Sequence, residues 1–291
     1  MSTSKPSPIP ASAVHFNLGD HMISALSDGY FEMPFEHVLT SATDAMIAEA
    51  RNAGRRNGPP RVNINAFLIR QAGHAPILVD AGMGPGYFPA AGTLLASLAI
   101  ADVSPEDIGF VLLTHLHADH CRGLTSADGL ALFPNAEILV SEIDAAFWLD
   151  AEHTEQSEIE NAKIVQKALA PYATKIKRFT DSDVLPGIKA IPLPGHSPGH
   201  TGYLVGHEQQ SLLIWGDVVN IVTVQSVFPS VGFISDADGA LAVRTRIELF
   251  ETVSASGQLV AGMHTEFPGI GHVAKDGDNY RIVPADWVQY Q

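Results

Sequence analysis

The stretch FVLLTHLHADHCRG, residues 110–123, contains the pattern from which the fold and the chemistry of this chain can be inferred. Its apolar part, VLLT, is typical of a buried strand that ends at Thr114, and functional groups usually lie on the loop that follows such a strand. Three histidines and one aspartate then fall within six positions: His115, His117, Asp119 and His120. So many ligating side chains indicate a metal site rather than a polar loop that is rich in histidine by chance.

The spacing divides these side chains into two sets. In extended backbone, residues two apart point the same way, so the imidazoles of His115 and His117 can reach one ion. Asp119 and His120 are neighbours whose side chains diverge, which suits a second ion beside the first. Imidazole together with carboxylate favours zinc, iron, manganese or cobalt over calcium or magnesium.

A metal site needs further ligands from distant parts of the chain, and three later stretches supply candidates. These are PLPGHSPGHTGY (192–203) with His196 and His200, LLIWGD (212–217) with Asp217, and LVAGMHTEF (259–267) with His264. Each candidate lies just past a strand-like run, so all of them can converge on one edge of the sheets.

The composition indicates a globular protein and argues against some classes of binding partner. The 291 residues are 46% hydrophobic and 17% charged, with a formal net charge of −15. Such an acidic chain lacks the basic surface that a nucleic acid or an anionic membrane requires, so we expect neither as a partner. No run approaches the roughly 18 apolar residues of a membrane span. The single cysteine, Cys121, excludes an internal disulfide.

The N-terminal sequence MSTSKPSPIPASAV is rich in serine and proline and lacks the apolar core of a secretory signal. We therefore expect a cytoplasmic protein, with a secreted or periplasmic location open if a leader has been removed. Residues 1–14 are predicted to be a flexible tail and residues 15–291 to form one domain, because no linker divides them.

Two pairs of apolar runs have the length and the turn signals of β-hairpins. They are AFLIR (66–70) with PILVDAG (76–82), and GYLVG (202–206) with SLLIWGD (211–217). Their similarity hints at an internal duplication. Helical spacing in residues 157–172 and 236–257, mixed with these strands, predicts a layered α/β protein whose layers run αβα or αββα.

Taken in order, HxHxDH, GHSPGH, the strand-end GD and the late histidine resemble the motifs of the metallo-β-lactamase-fold hydrolases. The resemblance implies an αββα four-layer sandwich built from two related halves, with two divalent metal ions at one edge. Zinc is the expected metal, with iron, manganese or cobalt as alternatives. The implied ligands are His115, His117 and His196 for the first metal, Asp119, His120 and His264 for the second, and Asp217 as the bridge. By the same resemblance, His200 is not a ligand, and Asp80 supports the ligand loop.

The resemblance also implies the chemistry. Two adjacent cations lower the pKa of the water between them, and the resulting hydroxide attacks an electrophilic carbonyl or phosphorus atom. Asp119, as a proton carrier, and the bridging Asp217 are then the catalytic residues. Iron-dependent redox chemistry and a non-catalytic binding protein on this scaffold are the alternatives, and the complete set of seven ligands favours the hydrolase.

The distribution of basic residues bears on the substrate. No lysine or arginine lies between Lys189 and Arg244, the stretch that contains GHSPGH and WGD. A substrate that carries a carboxylate generally needs a cation nearby. We therefore expect a small neutral ester, lactone or phosphotriester.

Longer stretches, among them LFPNAEILVSEIDAAFWL (132–149) and VQSVFPSV (224–231), resemble methyl parathion hydrolase-like and lactonase-like members of this family. This implies a homodimer that hydrolyses phosphotriesters and aryl esters, with a quorum-quenching acyl-homoserine lactonase as the alternative. The implied substrate-binding residues are Trp148, Tyr87, Phe88, Asn220, Phe228 and Phe267. Two features depart from the pattern: residues 155–165 lack an aromatic pair, and Asn220 stands where many acyl-homoserine lactonases carry a tyrosine.

Overall fold

The computed structural model describes residues 11–54, 59–207 and 210–285. The described residues contain sixteen strands: β1 (Ser12–Leu18), β2 (His21–Glu32), β3 (Leu39–Thr40), β4 (Arg61–Gln71), β5 (Ile77–Val79), β6 (Phe110–Leu112), β7 (Glu137–Ser141), β8 (Ile176–Phe179), β9 (Asp183–Leu185), β10 (Ile188–Pro192), β11 (Thr201–His207), β12 (Gln210–Ile214), β13 (Gly232–Phe233), β14 (Leu259–Ala261), β15 (Ile270–Asp276) and β16 (Asn279–Pro284). Eight α-helices accompany them: α1 (Phe35–Val38), α2 (Asp44–Gly54), α3 (Leu94–Ile100), α4 (Ala118–Cys121), α5 (Glu142–Ala145), α6 (Gln156–Leu169), α7 (Val222–Gln225) and α8 (Gly239–Ser256).

The strands form two seven-stranded sheets and a small ribbon of β13 and β3. The first sheet has the order β1-β2-β4-β5-β6-β7-β8, and the second has the order β16-β15-β14-β12-β11-β10-β9. Both predicted hairpins are confirmed, since β4 pairs with β5 and β11 with β12 in antiparallel fashion. In each sheet, the second strand of the hairpin also pairs in parallel with a further strand, β6 or β14. The two sheets therefore repeat one pairing pattern.

The alternation of side chains along β4 separates two layers of the core. Phe67 points into the space between the sheets, where it meets residues of the second sheet such as Tyr203. Leu68, its neighbour, points the other way and belongs to a core that includes Leu98 of α3 and Val165 of α6. The first sheet is therefore covered by helices on its outer face.

The second sheet is built in the same way. Leu212 of β12 faces the first sheet, and the adjacent Leu213 packs in an outer core with Phe250 and Val253 of α8. Helices thus cover the outer face of both sheets. The fold is an αββα sandwich, as predicted from the resemblance.

Helix α8 lies within the predicted residues 236–257 and ends at the predicted glycine, whereas α6 ends at Leu169, before the predicted residue 172. The side chain of Asp238 caps α8 by accepting a hydrogen bond from the backbone N–H of Leu241 at 2.9 Å. Gly257 ends α8 with a φ of 70°, a conformation that glycine adopts without strain.

Among the described residues, none of the helices has the length and apolar character that crossing a membrane requires.

The predicted N-terminal tail lies mostly outside the described residues. Its described end, however, belongs to β1, in which Ser12 pairs with Ser27 of β2. The backbone N–H of Ser12 also donates to the hydroxyl of Ser97 at 3.1 Å. The prediction of a flexible tail is therefore wrong for residues 12–14, because pairing with β2 orders an edge strand that the composition of the segment does not reveal.

Candidate metal centre

The loop between β6 and α4 brings the first predicted ligands together. His117 has extended backbone angles, φ −84° and ψ 159°. The imidazoles of His115 and His117 can therefore reach one ion, as their spacing in the sequence predicts. Nε2 of His115 lies 2.9 Å from Nδ1 of His117, which in turn lies 3.0 Å from Nε2 of His196. A proton on Nδ1 of His117 can form a hydrogen bond to only one of the two other nitrogens. Three ring nitrogens at such distances therefore suit a shared cation better than hydrogen bonds.

A second group forms beside the first, from Asp119, His120 and His264, whose candidate ligand atoms lie within 4.8 Å of one another. Oδ1 of Asp119 is 3.7 Å from Nε2 of His120, and Oδ2 of Asp119 is 3.5 Å from Nε2 of His264. The structure thus brings together the side chains of both predicted ligand sets, from three separate segments of the chain.

Asp217, which follows β12, lies between the two groups. Its Oδ2 is 3.2 Å from Nε2 of His196 and 2.8 Å from Nε2 of His264. Its Oδ1 is 3.4 Å from Nε2 of His120. One carboxylate therefore reaches side chains of both groups, which is the position that a bridging ligand requires.

The donor atoms fit divalent metal ions. Nε2 of His120 and Oδ1 of Asp217 are buried and lie 3.4 Å from each other, but neither makes a hydrogen bond of good geometry with any of the described residues. Buried polar atoms in folded proteins are nearly always paired, so these two atoms call for a partner that the chain does not provide. Imidazole nitrogens and carboxylate oxygens in a closed cluster are the ligands that zinc and similar ions take.

The electrostatics of the cluster differ from one imidazole to the next. Burial, together with the other imidazoles, lowers the pKa of His115 and of His117 well below its usual value. Burial opposes the charge of Asp217, yet the imidazoles of His264 and His120 hold the pKa of Asp217 well below its usual value. An ionised aspartate and neutral imidazoles at His115 and His117 are the protonation states in which these side chains bind a metal. At His120, His196 and His264, burial lowers the pKa of the imidazole, but Asp217 and the neighbouring carboxylates raise it above its usual value, so a metal ion has to displace a proton there.

The second ring nitrogen of several histidines is fixed by a neighbour, as is usual around metal sites. Nδ1 of His120 lies 2.6 Å from Oδ2 of Asp80, Nδ1 of His196 lies 2.9 Å from Oδ1 of Asp236, and Nδ1 of His264 lies 2.6 Å from the carbonyl oxygen of Asn63. His200 is placed differently. Its Nδ1 lies 2.8 Å from the carbonyl oxygen of Leu193, and its Nε2 accepts from the backbone N–H of Asp217 at 2.9 Å, so it positions the bridge.

Comparison with known proteins decides the family. The sequence profile of the Metallo-beta-lactamase superfamily matches residues 59–256, about two thirds of the chain. The chain belongs to the metallo-beta-lactamase superfamily. Among solved structures, the hydrolase AbOPH of the beta lactamase superfamily is 32% identical and superposes with a TM-score of 0.90, over 96% of this chain and 99% of that chain.

Two lactonases are also similar to this member of the metallo-beta-lactamase superfamily. AidC, a dizinc quorum-quenching lactonase, has a TM-score of 0.89 at 23% identity over 96% of this chain and 99% of that chain, which demonstrates a shared fold. The N-acyl homoserine lactonase of Bacillus cereus is 29% identical over 163 residues, 48% of this chain and 57% of the lactonase. The chain thus spans little more than half the length of this curated relative. The relatives are hydrolases, as the sequence predicts for this chain.

Within this metallo-beta-lactamase fold, Trp148 lies against the metal centre. Its ring centroid is 5.5 Å from that of His117, and the residue is 4% exposed. A π-helical turn, Ala146–Asp150, carries the indole. Trp148 is also part of the core beneath the first sheet, which gives it a packing role. Its contact with substrate stays a prediction.

Tyr87 and Phe88 lie on the loop between β5 and α3. Tyr87 is 50% exposed and has the guanidinium of Arg122 5.3 Å from its ring centroid. Phe88 stacks on Phe31 with ring centroids 4.9 Å apart. Their role in substrate binding stays a prediction.

The other predicted substrate-binding residues contact protein groups. Nδ2 of Asn220 donates to Oδ2 of Asp217 at 2.9 Å, so this buried amide orients the candidate bridging carboxylate. Phe228 packs with Phe35 in an apolar cluster, and Phe267 packs against the core between the sheets. These contacts give Phe228 and Phe267 a packing role, and contact with substrate stays a prediction for all three residues.

A cavity of about 200 Å³ has His264 in its wall. Phe35, Ile221 and Val222 give it apolar walls, and Asn63 and Thr223 give it polar ones. The charged lining residues among those described are Arg51, Arg61 and Glu266. Sequence reasoning missed this cavity, because most of its lining comes from segments that carry no motif and that meet only in the folded chain.

Proposed function

We propose that this chain is a metal-dependent hydrolase that uses two divalent ions to open lactones and other carboxylic esters. The observation that carries the proposal is the position of Asp217. Its two oxygens face His120, His196 and His264, which belong to two separate ligand groups. A single-metal or purely structural site would not need one carboxylate between two such groups.

Bound at these groups, two divalent ions would polarise a substrate carbonyl and lower the pKa of a water molecule. The chain itself supplies a proton carrier in Asp119, whose side chain is 17% exposed and so reachable from the opening. A carboxylate in this place can take a proton from water and return it to the leaving alkoxide. The indole of Trp148, packed against His117, excludes water from one side of the cluster.

The substrate class is supported by the relatives and by the cavity. N-acyl homoserine lactonase is the name of a curated relative, and AidC is a lactonase. The apolar part of the cavity beside His264 suits an acyl chain. We therefore propose that the acyl part of the substrate lies in this cavity while its carbonyl lies at the metal centre.

A phosphotriester is the second candidate, and the placement of Trp148 favours it. A buried aromatic wall beside His117 suits an aryl leaving group. The same metal centre serves phosphorus and carbonyl electrophiles, because both need a nucleophile and a stabilised oxyanion. The predicted homodimer and cytoplasmic location stay predictions.

The first experiment compares kcat/KM for an N-acyl homoserine lactone and for a methyl phosphotriester on one zinc-reconstituted preparation, with metal-free protein as the control. A lactone preference of about a hundredfold, worth about 2.7 kcal/mol, supports the lactonase. The reverse preference supports the phosphotriesterase. Equal activity of metal-free and metal-loaded protein, or no hydrolysis of either substrate, contradicts the proposal.

A further inference from the structure

Two arginines from the N-terminal part of the chain line the cavity beside His264. Among the described residues, Glu266 is the one acidic residue that lines the cavity with Arg51 and Arg61. The lining residues therefore carry two basic side chains against one acidic side chain, in a protein whose formal net charge is −15, although Glu32 and Glu36 pair with the two arginines. The absence of basic residues between 189 and 244 suggested a neutral substrate, but the fold supplies cations to the site from a different segment.

Both guanidinium groups are held over aromatic rings. Arg61 lies 4.3 Å from the ring centroid of Tyr30, and Arg51 lies 5.7 Å from that of Phe35. Such a contact attracts a guanidinium without using its N–H groups. Two cations are therefore held near the cavity wall.

Each arginine is paired with a glutamate but keeps unused donors. Nε of Arg61 donates to Glu32 at 2.9 Å, and Nη2 of Arg51 donates to Glu36 at 2.7 Å. The side chains of both pairs are 41–50% exposed, and ion pairs with that exposure bind their partners weakly. Since a guanidinium carries five N–H donors, a ligand can bind each arginine without displacing its glutamate.

We propose that Arg51 and Arg61 bind a carboxylate at the far end of the acyl chain of the substrate. The preferred substrates are then esters or lactones whose acyl part ends in a carboxylate, with the methylene chain along Phe35 and Ile221. Guanidinium groups recognise carboxylates through parallel N–H donors, which suits this role. The inference rests on the proposed function, since the ester carbonyl has to lie at the metal centre.

The test uses two 4-nitrophenyl esters with six-carbon acyl chains, the hexanoate, which ends in a methyl group, and the monoester of adipate, which ends in a carboxylate. Their kcat/KM ratio on zinc-loaded protein cancels effects on the chemical step. We expect the wild-type protein to favour the adipate monoester by about tenfold or more, the effect of one or two hydrogen bonds between charged groups. Added salt should reduce this preference, because the binding groups are partly exposed.

Substitutions of the arginines and of the glutamate that pairs with Arg61 are expected to change the ratio of kcat/KM in opposite directions. Arg61→Met and Arg51→Met should lower the adipate-to-hexanoate ratio, and Glu32→Gln should raise it by removing a negative charge beside Arg61 that repels the substrate carboxylate. Arg244→Met, at an exposed position of α8, is the matched control and should leave the ratio unchanged. A loss of folding cannot produce shifts of opposite sign.

The outcomes separate the two proposals. Hydrolysis of both esters with a ratio near one that Arg61→Met and Glu32→Gln leave unchanged overturns the carboxylate subsite and leaves the proposed hydrolase standing. Hydrolysis of neither ester by metal-loaded protein overturns both. A high ratio that falls in Arg61→Met and rises in Glu32→Gln establishes the subsite.

Discussion

Asp144 accepts a hydrogen bond at 2.7 Å from the backbone N–H of Leu116, the residue between the ligand candidates His115 and His117. Its other carboxylate oxygen accepts from the hydroxyl of Ser197 and from the backbone N–H of Gly199, in the loop that follows His196. Asp144 is fully buried. One carboxylate therefore joins the two loops that carry the first ligand group.

This arrangement predicts that Asp144→Asn weakens one metal site more than the other. The amide nitrogen of asparagine cannot accept a hydrogen bond, so one of the two loops loses its tie. Loss of a residue that positions metal ligands typically lowers metal affinity by about 10- to 100-fold. Metal content after dialysis against a weak chelator should fall from two ions per chain towards one.

Asp150→Asn is the control for this prediction, because Asp150 is an exposed carboxylate that pairs with Arg178 on the surface. It should keep the wild-type metal content. Retention of both ions by Asp144→Asn would contradict a positioning role, and parallel loss of both ions would mean that Asp144 supports the fold as a whole.

The ligand candidates themselves differ in what their removal should do. His117→Ala removes a member of one group, and Asp217→Ala removes the carboxylate that reaches both. We expect both variants to lose hydrolysis, with a larger loss of metal in Asp217→Ala. Inductively coupled plasma mass spectrometry on the purified variants measures this. Near wild-type activity with full metal content in either variant would disprove the ligand assignment.

Motif spacing predicted the candidate ligands because strand ends converge. His115, His196, Asp217 and His264 each follow a strand, so sheet formation alone brings them to one edge. The αββα layers followed from the resemblance that the same motifs carry. The order of the motifs along the chain thus predicts both the candidate site and the topology.

The residues that position the candidate ligands cannot be recognised from a sequence pattern. Asn63 contributes a backbone carbonyl oxygen to His264, which any residue type could supply. Asp144 resembles an ordinary acidic residue in the first turn of a helix, and its partners Leu116 and Ser197 are distant in sequence. Arg51 reaches the cavity through tertiary packing that no local pattern encodes.

Trp148 is expected to shape the choice between substrates. Trp148→Ala should raise KM for an aryl ester more than for a small lactone, because it removes an apolar wall that an aryl leaving group would use. The substitution also opens a cavity in the core, which typically costs about 3–5 kcal/mol of stability. Trp148→Phe, which keeps more of the volume, is therefore measured in parallel. Equal changes in KM for both substrates, in both variants, would assign Trp148 to the core alone.

Asp28 predicts a pH dependence of stability at the loop that carries Tyr87. Its two carboxylate oxygens accept from the backbone N–H groups of Met83 and Leu94, at 2.8 and 2.9 Å, near the two ends of that loop. Burial raises the pKa of Asp28 from 3.8 to about 6, although the N–H groups of Leu94 and Met83 oppose the shift. The folded protein therefore keeps a proton in a pH range in which the unfolded chain has already released it.

The sign of the effect follows from this difference. As the pH rises from about 4 to about 6, the unfolded chain loses the proton first, so the free energy of unfolding falls, and above the folded-state pKa it levels off. A shift of about two pKa units corresponds to about 3 kcal/mol. Relative to Asp28→Asn, metal-free wild-type protein should thus lose about 2–3 kcal/mol of unfolding free energy between pH 4 and pH 7 in urea denaturation. Asp128→Asn, at an exposed position, should show no such change relative to wild type. A free energy of unfolding of wild type that stays constant relative to that of Asp28→Asn across this range, or that rises relative to it, would mean that Asp28 is already ionised at pH 4 in the folded protein.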